Sequence, residues 1–163
     1  MTENLVELLP VMVGGAIAIL AGISGAFFGV HFEAQKSRNE TKRSKLERIV
    51  ELSHSVSTWL SSRRNRALFE QNIAQEEPPL PKIEAIAELY FPSLKENTHQ
   101  LAAALVKCDE AICNQLDRKM EDREAWLADE TKNTEFLQAY EEVLKANKEL
   151  QKEAKAQFDQ VFK

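Results

Sequence analysis

Residues 8–30, LLPVMVGGAIAILAGISGAFFGV, carry no charged side chain and constrain the fold more than any other part of the sequence. As a helix, these 23 residues extend over about 35 Å, whereas the hydrocarbon core of a bilayer is about 30 Å thick. Core helices of water-soluble proteins seldom stay uncharged over such a length. The pattern predicts one transmembrane helix, within an anchor domain of residues 1–31.

The residues on either side of this segment predict its orientation. Those before it include Glu3 and Glu7 but no Lys or Arg, which argues against a cleaved signal peptide with a positive first region. Those after it include six basic residues, which the positive-inside rule keeps in the cytoplasm. We therefore expect a bacterial inner-membrane protein with its N-terminus outside. The six basic residues are Lys36, Arg38, Lys42, Arg43, Lys45 and Arg48.

Small residues form two neighbouring rows along the predicted span, which also holds all five glycines of the chain. In lipid, apolar burial does not drive helices together, and rows of small residues allow helix backbones to pack closely. The rows predict a homo-oligomer formed through the transmembrane helix. The alternative is that transmembrane helices are generally rich in glycine and alanine. The first row is Gly14, Ala18, Gly22 and Ala26, and the second is Ala21, Gly25 and Gly29.

The charge balance argues against nucleic acid as the main partner. The net charge is -5 and the pI is near 5.4, whereas phosphate binding needs a clustered positive field. Between Glu33 and Arg48 there are three more basic than acidic residues, which predicts contact with anionic lipid headgroups. A role as a topology signal alone remains the simpler interpretation of this segment.

After the span, apolar residues recur at intervals of three and four, and alternation typical of strands is missing from the sequence. The first such stripe predicts an amphipathic helix that ends at about residue 74, within a basic juxtamembrane segment of residues 32–75. Prolines then break the pattern in a linker at residues 76–81, with Pro81 at the first position of a new helix. The first stripe is Leu46, Ile49, Val56, Trp59, Leu60 and Ala67.

Two further stripes predict a helical hairpin over residues 82–163, with a polar interruption at residues 129–134. With the first helix they predict an all-α fold, in which the span continues into a cytoplasmic antiparallel, coiled-coil-like bundle. The second stripe is Leu94, Thr98, Leu101, Leu105, Cys108, Ile112, Leu116 and Met120. The third is Phe136, Tyr140, Val143, Leu150, Ala154, Phe158 and Val161.

The segment Leu89-Tyr90-Phe91-Pro92, the glycine-rich span and the basic helix after it together resemble small single-pass inner-membrane proteins of bacteria. The resemblance extends to about residue 100 and implies a membrane-anchored helical protein. It brings no catalytic residue. Taken by themselves, two aromatic residues before a proline predict a packing corner of the bundle, and a peptide-docking surface is the alternative.

Side chains that could act in catalysis or bind a metal are scattered in the sequence. Cys108 and Cys113 are five residues apart, which suits neither a zinc site nor a redox pair, and we expect free thiols in a reducing compartment. Three histidines stand in no nucleophile or metal motif. Alternating Glu and Lys residues after residue 134 are typical of an exposed helix face. No catalytic, cofactor-binding or metal-binding residue is predicted, and the protein is expected not to be an enzyme.

Two classes of function fit these features. In the first, a non-enzymatic anchor holds a helical interaction and assembly domain at the membrane, where it assembles with itself or recruits a cytoplasmic protein. In the second, several spans form a pore or membrane-perturbing effector, toxin-like or acting in phage defence, that the bundle gates. No ionisable residue lies between Glu7 and His31, which disfavours a selective ion path but leaves a hydrophobic gate open.

Overall fold

A computed structural model describes residues 3–69 and 77–161, with side chains over 33–69 and 77–160. Over these ranges the protein is helical and has no strand, which confirms the all-α class and a helical bundle. The helices are α1 (Glu3–Phe69), α2 (Leu80–Tyr90), α3 (Lys95–Glu121), α4 (Arg123–Ala128) and α5 (Thr134–Val161), with a 3-10 turn at Pro92–Leu94.

The chain divides into two compact units, Met1–Thr41 and Lys42–Lys163. In the first unit, the side chains of residues 33–41 are almost all exposed. The predicted span at residues 8–30, with both rows of small residues, lies outside the residues whose side chains are described. Where side chains are described, no helix combines the length and apolar character needed to cross a membrane.

In the second unit, α1 and α3 run parallel to each other. Arg63 forms an ion pair with Asp109, and further along both helices Lys119 Nζ donates to the carbonyl oxygen of Leu68. The Tyr90 ring lies 5.7 Å from Lys45 Nζ near the start of the bundle. The end of α2 is therefore back at that level of α1, and α3 then runs in the same direction as α1. The predicted antiparallel arrangement is therefore wrong for α1 and α3.

The last helix, α5, is antiparallel to both of its long neighbours. Asn133, just before α5, bonds Arg64 near the end of α1, whereas Asn147 bonds Ser53 earlier in α1. The contacts of α5 with α3 also run in opposite senses along the two helices, as expected for a hairpin. Helices α3 and α5 therefore pack as a hairpin, and α5 also packs antiparallel to α1.

The three predicted stripes supply most of the core, which also contains Ile83, Ala87 and Phe91 from α2 and the corner after it. The second stripe fails at its end, where Met120 is 77% exposed and Gln115 is fully buried. From Ile112 the stripe advances in steps of four residues, each turning about 40° beyond a full helical turn. Two such steps carry Met120 out of the core, and position 115 takes its place.

Several predicted boundaries shift. Helix α2 begins at Leu80, so Pro81 is its second residue. Helix α3 ends at Glu121, where the stripe predicted no break; Asp122 caps α4 by accepting a hydrogen bond from the Ala125 amide at 2.9 Å. The predicted interruption at residues 129–134 corresponds to a turn over residues 129–133, and α5 begins at Thr134. Residues 70–76, which include the predicted end of the first helix, lie outside the described ranges.

Candidate functional site

Side chains of α1 and α5 line an open surface groove of about 390 Å³ on the second unit. Its apolar floor is formed by Leu46 and Val50 of α1 and by Ala154 and Phe158 of α5. Leu46 and Ala154 are buried and close the bottom of the groove, whereas Val50 and Phe158 are only partly buried. Because each pair is spaced by four residues, the apolar surface follows one face of each helix for about one turn.

The α1 side of this groove, here called the α1 rim, carries Glu47, Glu51 and His54, which line the groove, and Arg43 one turn before Glu47. Arg43 Nε donates to Glu47 Oε1 at 2.9 Å, and the Arg43 guanidinium lies 5.5 Å from the centre of the Phe158 ring. Glu51 accepts a hydrogen bond from Arg48 at 2.6 Å. The α1 rim thus presents one positive and then two negative charges.

The α5 side, here called the α5 rim, carries Lys148, Lys152, Lys155 and Asp159 along the continuation of the groove. Lys152 Nζ lies 3.4 Å from Glu149 Oε2, in an exposed pair within the helix. From its C-terminal end, the α5 rim presents one negative charge and then three positive charges. The first three of these signs are the opposite of those on the α1 rim.

Three contacts between α1 and α5 establish which residues share a level along the groove. Arg43 lies over Phe158, and Ser53 accepts hydrogen bonds from Asn147 and Gln151. Since the helices are antiparallel, these contacts bring charges of opposite sign to equal heights on the two rims. The level pairs are Arg43 with Asp159, Glu47 with Lys155, and Glu51 with Lys152.

The structure divides the six predicted headgroup-binding residues into two groups. Lys36, Arg38 and Lys42 are exposed on α1. Of the other three, Arg43 lies over the Phe158 ring and Lys45 near the Tyr90 ring, whereas Arg48 is exposed and pairs with Glu51 of the same helix. Lipid binding by this segment remains a prediction, and the first group is the better placed for it.

A second polar cluster surrounds Arg64 at the other end of the bundle. Its guanidinium lies 4.4 Å from the centre of the Phe136 ring and donates to Asn133 Oδ1 at 2.5 Å and Gln115 Oε1 at 3.4 Å. Gln115 in turn donates to the carbonyl oxygen of Lys132. Burial lowers the pKa of Arg64 by disfavouring its charged form. These contacts hold the turn before α5 against α1 and α3, which is a structural role.

The cysteines occupy different environments and are not bonded to each other. Cys108 is buried in the core, as its place in the second stripe predicts, and Cys113 is exposed. Burial, and secondarily the charge of Asp109, raises the pKa of the Cys108 thiol to about 11, so this thiol is unreactive at neutral pH. No group of three His, Cys, Asp or Glu residues placed to hold a metal ion occurs within the described part of the chain.

Sequence reasoning interpreted the lysines of α5 only as part of a solvated face and did not bring them together with Glu47 and Glu51. The four-residue spacing of the charges on both helices is visible in the sequence. The register of α1 against α5, which decides which charges lie side by side, depends on tertiary packing. No family model, curated protein or solved structure matches the chain. The groove is therefore assigned from its geometry and charges.

Proposed function

We propose that the protein is a non-enzymatic anchor that holds a helical interaction and assembly domain at the bacterial inner membrane. Residues 8–30 cross the bilayer, the N-terminus lies outside, and the unit Lys42–Lys163 lies in the cytoplasm. The observation that carries this proposal is the uncharged segment of 23 residues followed directly by six basic residues. The two rows of small residues bring spans of different copies together.

The second unit supports a role in binding macromolecules. It has its own apolar core, and its α1–α5 groove has an apolar floor bordered by charged residues. Small-molecule sites instead combine an enclosed apolar pocket with a few convergent polar groups. An apolar strip with a charged border is typical of a contact between protein surfaces.

The basic residues that follow the proposed span give the anchor a second attachment to the membrane. Lys36, Arg38 and Lys42 are exposed on α1 and are close in sequence to the proposed span. Each basic residue near an anionic leaflet contributes about 1 kcal/mol of binding free energy. We propose that they bind anionic headgroups and keep this end of the domain near the bilayer.

A reporter fused after Lys163 tests the proposal, because orientation follows from the basic residues. A fluorescent protein that folds only in the cytoplasm should be active there, and alkaline phosphatase, which needs the periplasm, should be inactive. The chain should also stay in the membrane fraction after alkaline carbonate extraction. As a matched control, a fusion at the N-terminus should give the reverse pair of activities. Phosphatase activity after Lys163, or release by carbonate, would contradict the proposal.

A further inference from the structure

We infer that the α1–α5 groove binds a second copy of this chain, in a parallel two-fold dimer. In this arrangement the symmetry axis runs along the groove, and the α1 rim of each copy faces the α5 rim of the other. A two-fold axis uses the same surface on both copies, so the surface has to be complementary to itself. The groove meets this condition.

The charges of the two rims carry the inference. Rotation about an axis along the helices leaves heights unchanged, so residues level with each other within one copy also face each other between copies. Glu47 then faces Lys155, and Glu51 faces Lys152, each twice in the dimer. Arg43 faces Asp159 in the same way. Opposite charges therefore meet at three levels, and Lys148, the fourth charge of the α5 rim, is level with His54, which also lines the groove.

The other two-fold arrangement is disfavoured by the same charges. With the axis across the groove, each α1 rim faces the other α1 rim and each α5 rim faces the other α5 rim. This axis also reverses the heights, so an axis midway between Glu47 and Glu51 brings these acidic residues together and Lys152 against Lys155. No position of the axis gives all three levels of the α1 rim a partner of opposite charge. Like charges placed together across an interface suppress binding, so the rims select the parallel dimer.

The ion pairs already present do not compete strongly with this contact. The pairs of Glu47 with Arg43, of Glu51 with Arg48 and of Lys152 with Glu149 are exposed and lie within single helices. Such pairs contribute only about 0.3 to 0.5 kcal/mol each. A charged group can also keep its partner in the helix while it faces a charge of the second copy. The second copy adds apolar contact with Val50 and Phe158, which are only partly buried in one copy.

The strength of the dimer, unlike its geometry, rests on the proposed function. The floor of the groove is short, and small contacts of this kind are weak between proteins free in solution. When the spans of two copies are already associated, the second contact forms at a high effective concentration. The groove then sets the direction in which the two bundles pair.

The test uses the full chain in cells, with two differently tagged copies and three variants. The acid-to-base variant has Glu47→Lys and Glu51→Lys, and the base-to-acid variant has Lys152→Glu and Lys155→Glu. A control variant, Glu110→Lys with Glu141→Lys, changes the charge as much as the acid-to-base variant at exposed sites that do not line the groove. Co-purification of the two tags is measured after mild detergent extraction, and carbonate extraction of the same cells measures membrane attachment.

Each groove variant paired with itself should lose about tenfold in co-purification, because the facing rims then carry like charges. The control should match the native chain. Mixing the two groove variants should restore the native level, since every facing pair is again of opposite sign. Restoration in the mixture also shows that both variants fold.

Three outcomes would overturn the dimer. The first is that native copies do not co-purify, and the second is that neither groove variant loses co-purification. The third is that the mixture does not recover co-purification, although one chain carrying all four substitutions does. The last result would place the charge pairs within one copy. Carbonate extraction tests the proposed function separately. Release of the native chain from the membrane would contradict the anchor, whatever the result for the charge variants.

Discussion

Asn147 in α5 donates a hydrogen bond from Nδ2 to the main-chain carbonyl oxygen of Ser53 in α1 over 2.9 Å, and both residues are buried. Gln151 adds a second bond to Ser53 Oγ at 2.8 Å. A slip of α5 along α1 would leave these polar groups unpaired among apolar side chains, at the cost of their desolvation. This buried layer therefore fixes the register that puts opposite charges level on the two rims of the groove.

Replacing Asn147→Ala should lower the free energy of unfolding by about 1 to 2 kcal/mol, through the lost hydrogen bond and lost packing. Thermal unfolding of the purified full chain, followed by circular dichroism, measures the change. Lys145→Ala, at an exposed position of the same helix, serves as the control and should leave the midpoint almost unchanged. If the two variants unfold at the same temperature, the polar layer contributes nothing to stability.

Two neighbouring arginines give a matched test of the polar cluster at the far end of the bundle. Arg64→Lys keeps the charge but loses the planar group that contacts the Phe136 ring, Asn133 and Gln115 together, so we expect a loss of about 1 to 2 kcal/mol. Arg63→Lys should cost about 0.5 kcal/mol or less, because its pair with Asp109 is exposed. Equal losses in chemical unfolding would show that Arg64 acts only as a charge.

These sites illustrate what periodicity alone can predict. The apolar stripes gave three helices and most of the core, because burial of one helix face is recorded in the spacing of residues such as Leu101 and Cys108. They could not give the parallel course of α1 and α3: the spacing of Ile83 and Ala87 indicates a short helix, but whether this helix runs back along α1 depends on tertiary packing. Gln115 was missed because its amide is satisfied by partners distant in sequence. The groove was missed because it depends on the register of two helices.

The buried thiol of Cys108 should make stability depend on pH in the alkaline range. Its pKa in the folded protein is about 11, against an ordinary value of 9.0, so the unfolded chain loses this proton first as the pH rises. The resulting stabilisation is fully present below about pH 9 and is lost as the pH rises towards 11. Unfolding curves of the native chain and of Cys108→Ala, measured from pH 7 to pH 11, separate this effect from other titrating groups. A constant difference between the two chains across that range would contradict it.

Substitutions in the two rows of small residues of the proposed span should distinguish an anchor from a pore. Gly22→Leu or Gly25→Leu should weaken self-association by about 1 to 3 kcal/mol, because a large side chain separates the helix backbones. Insertion should persist, since leucine is more apolar than glycine, and Ile17→Leu, outside both rows, is the control. Differently tagged copies report association in detergent extracts, while a potential-sensitive dye reports the membrane potential of cells that overproduce each chain.

For an anchor, the membrane potential should stay intact with every chain. Depolarisation by the native chain that both glycine variants abolish would establish the pore instead. Full association after exchange of residues 8–30 for an unrelated leucine-rich span would show that the rows reflect composition alone.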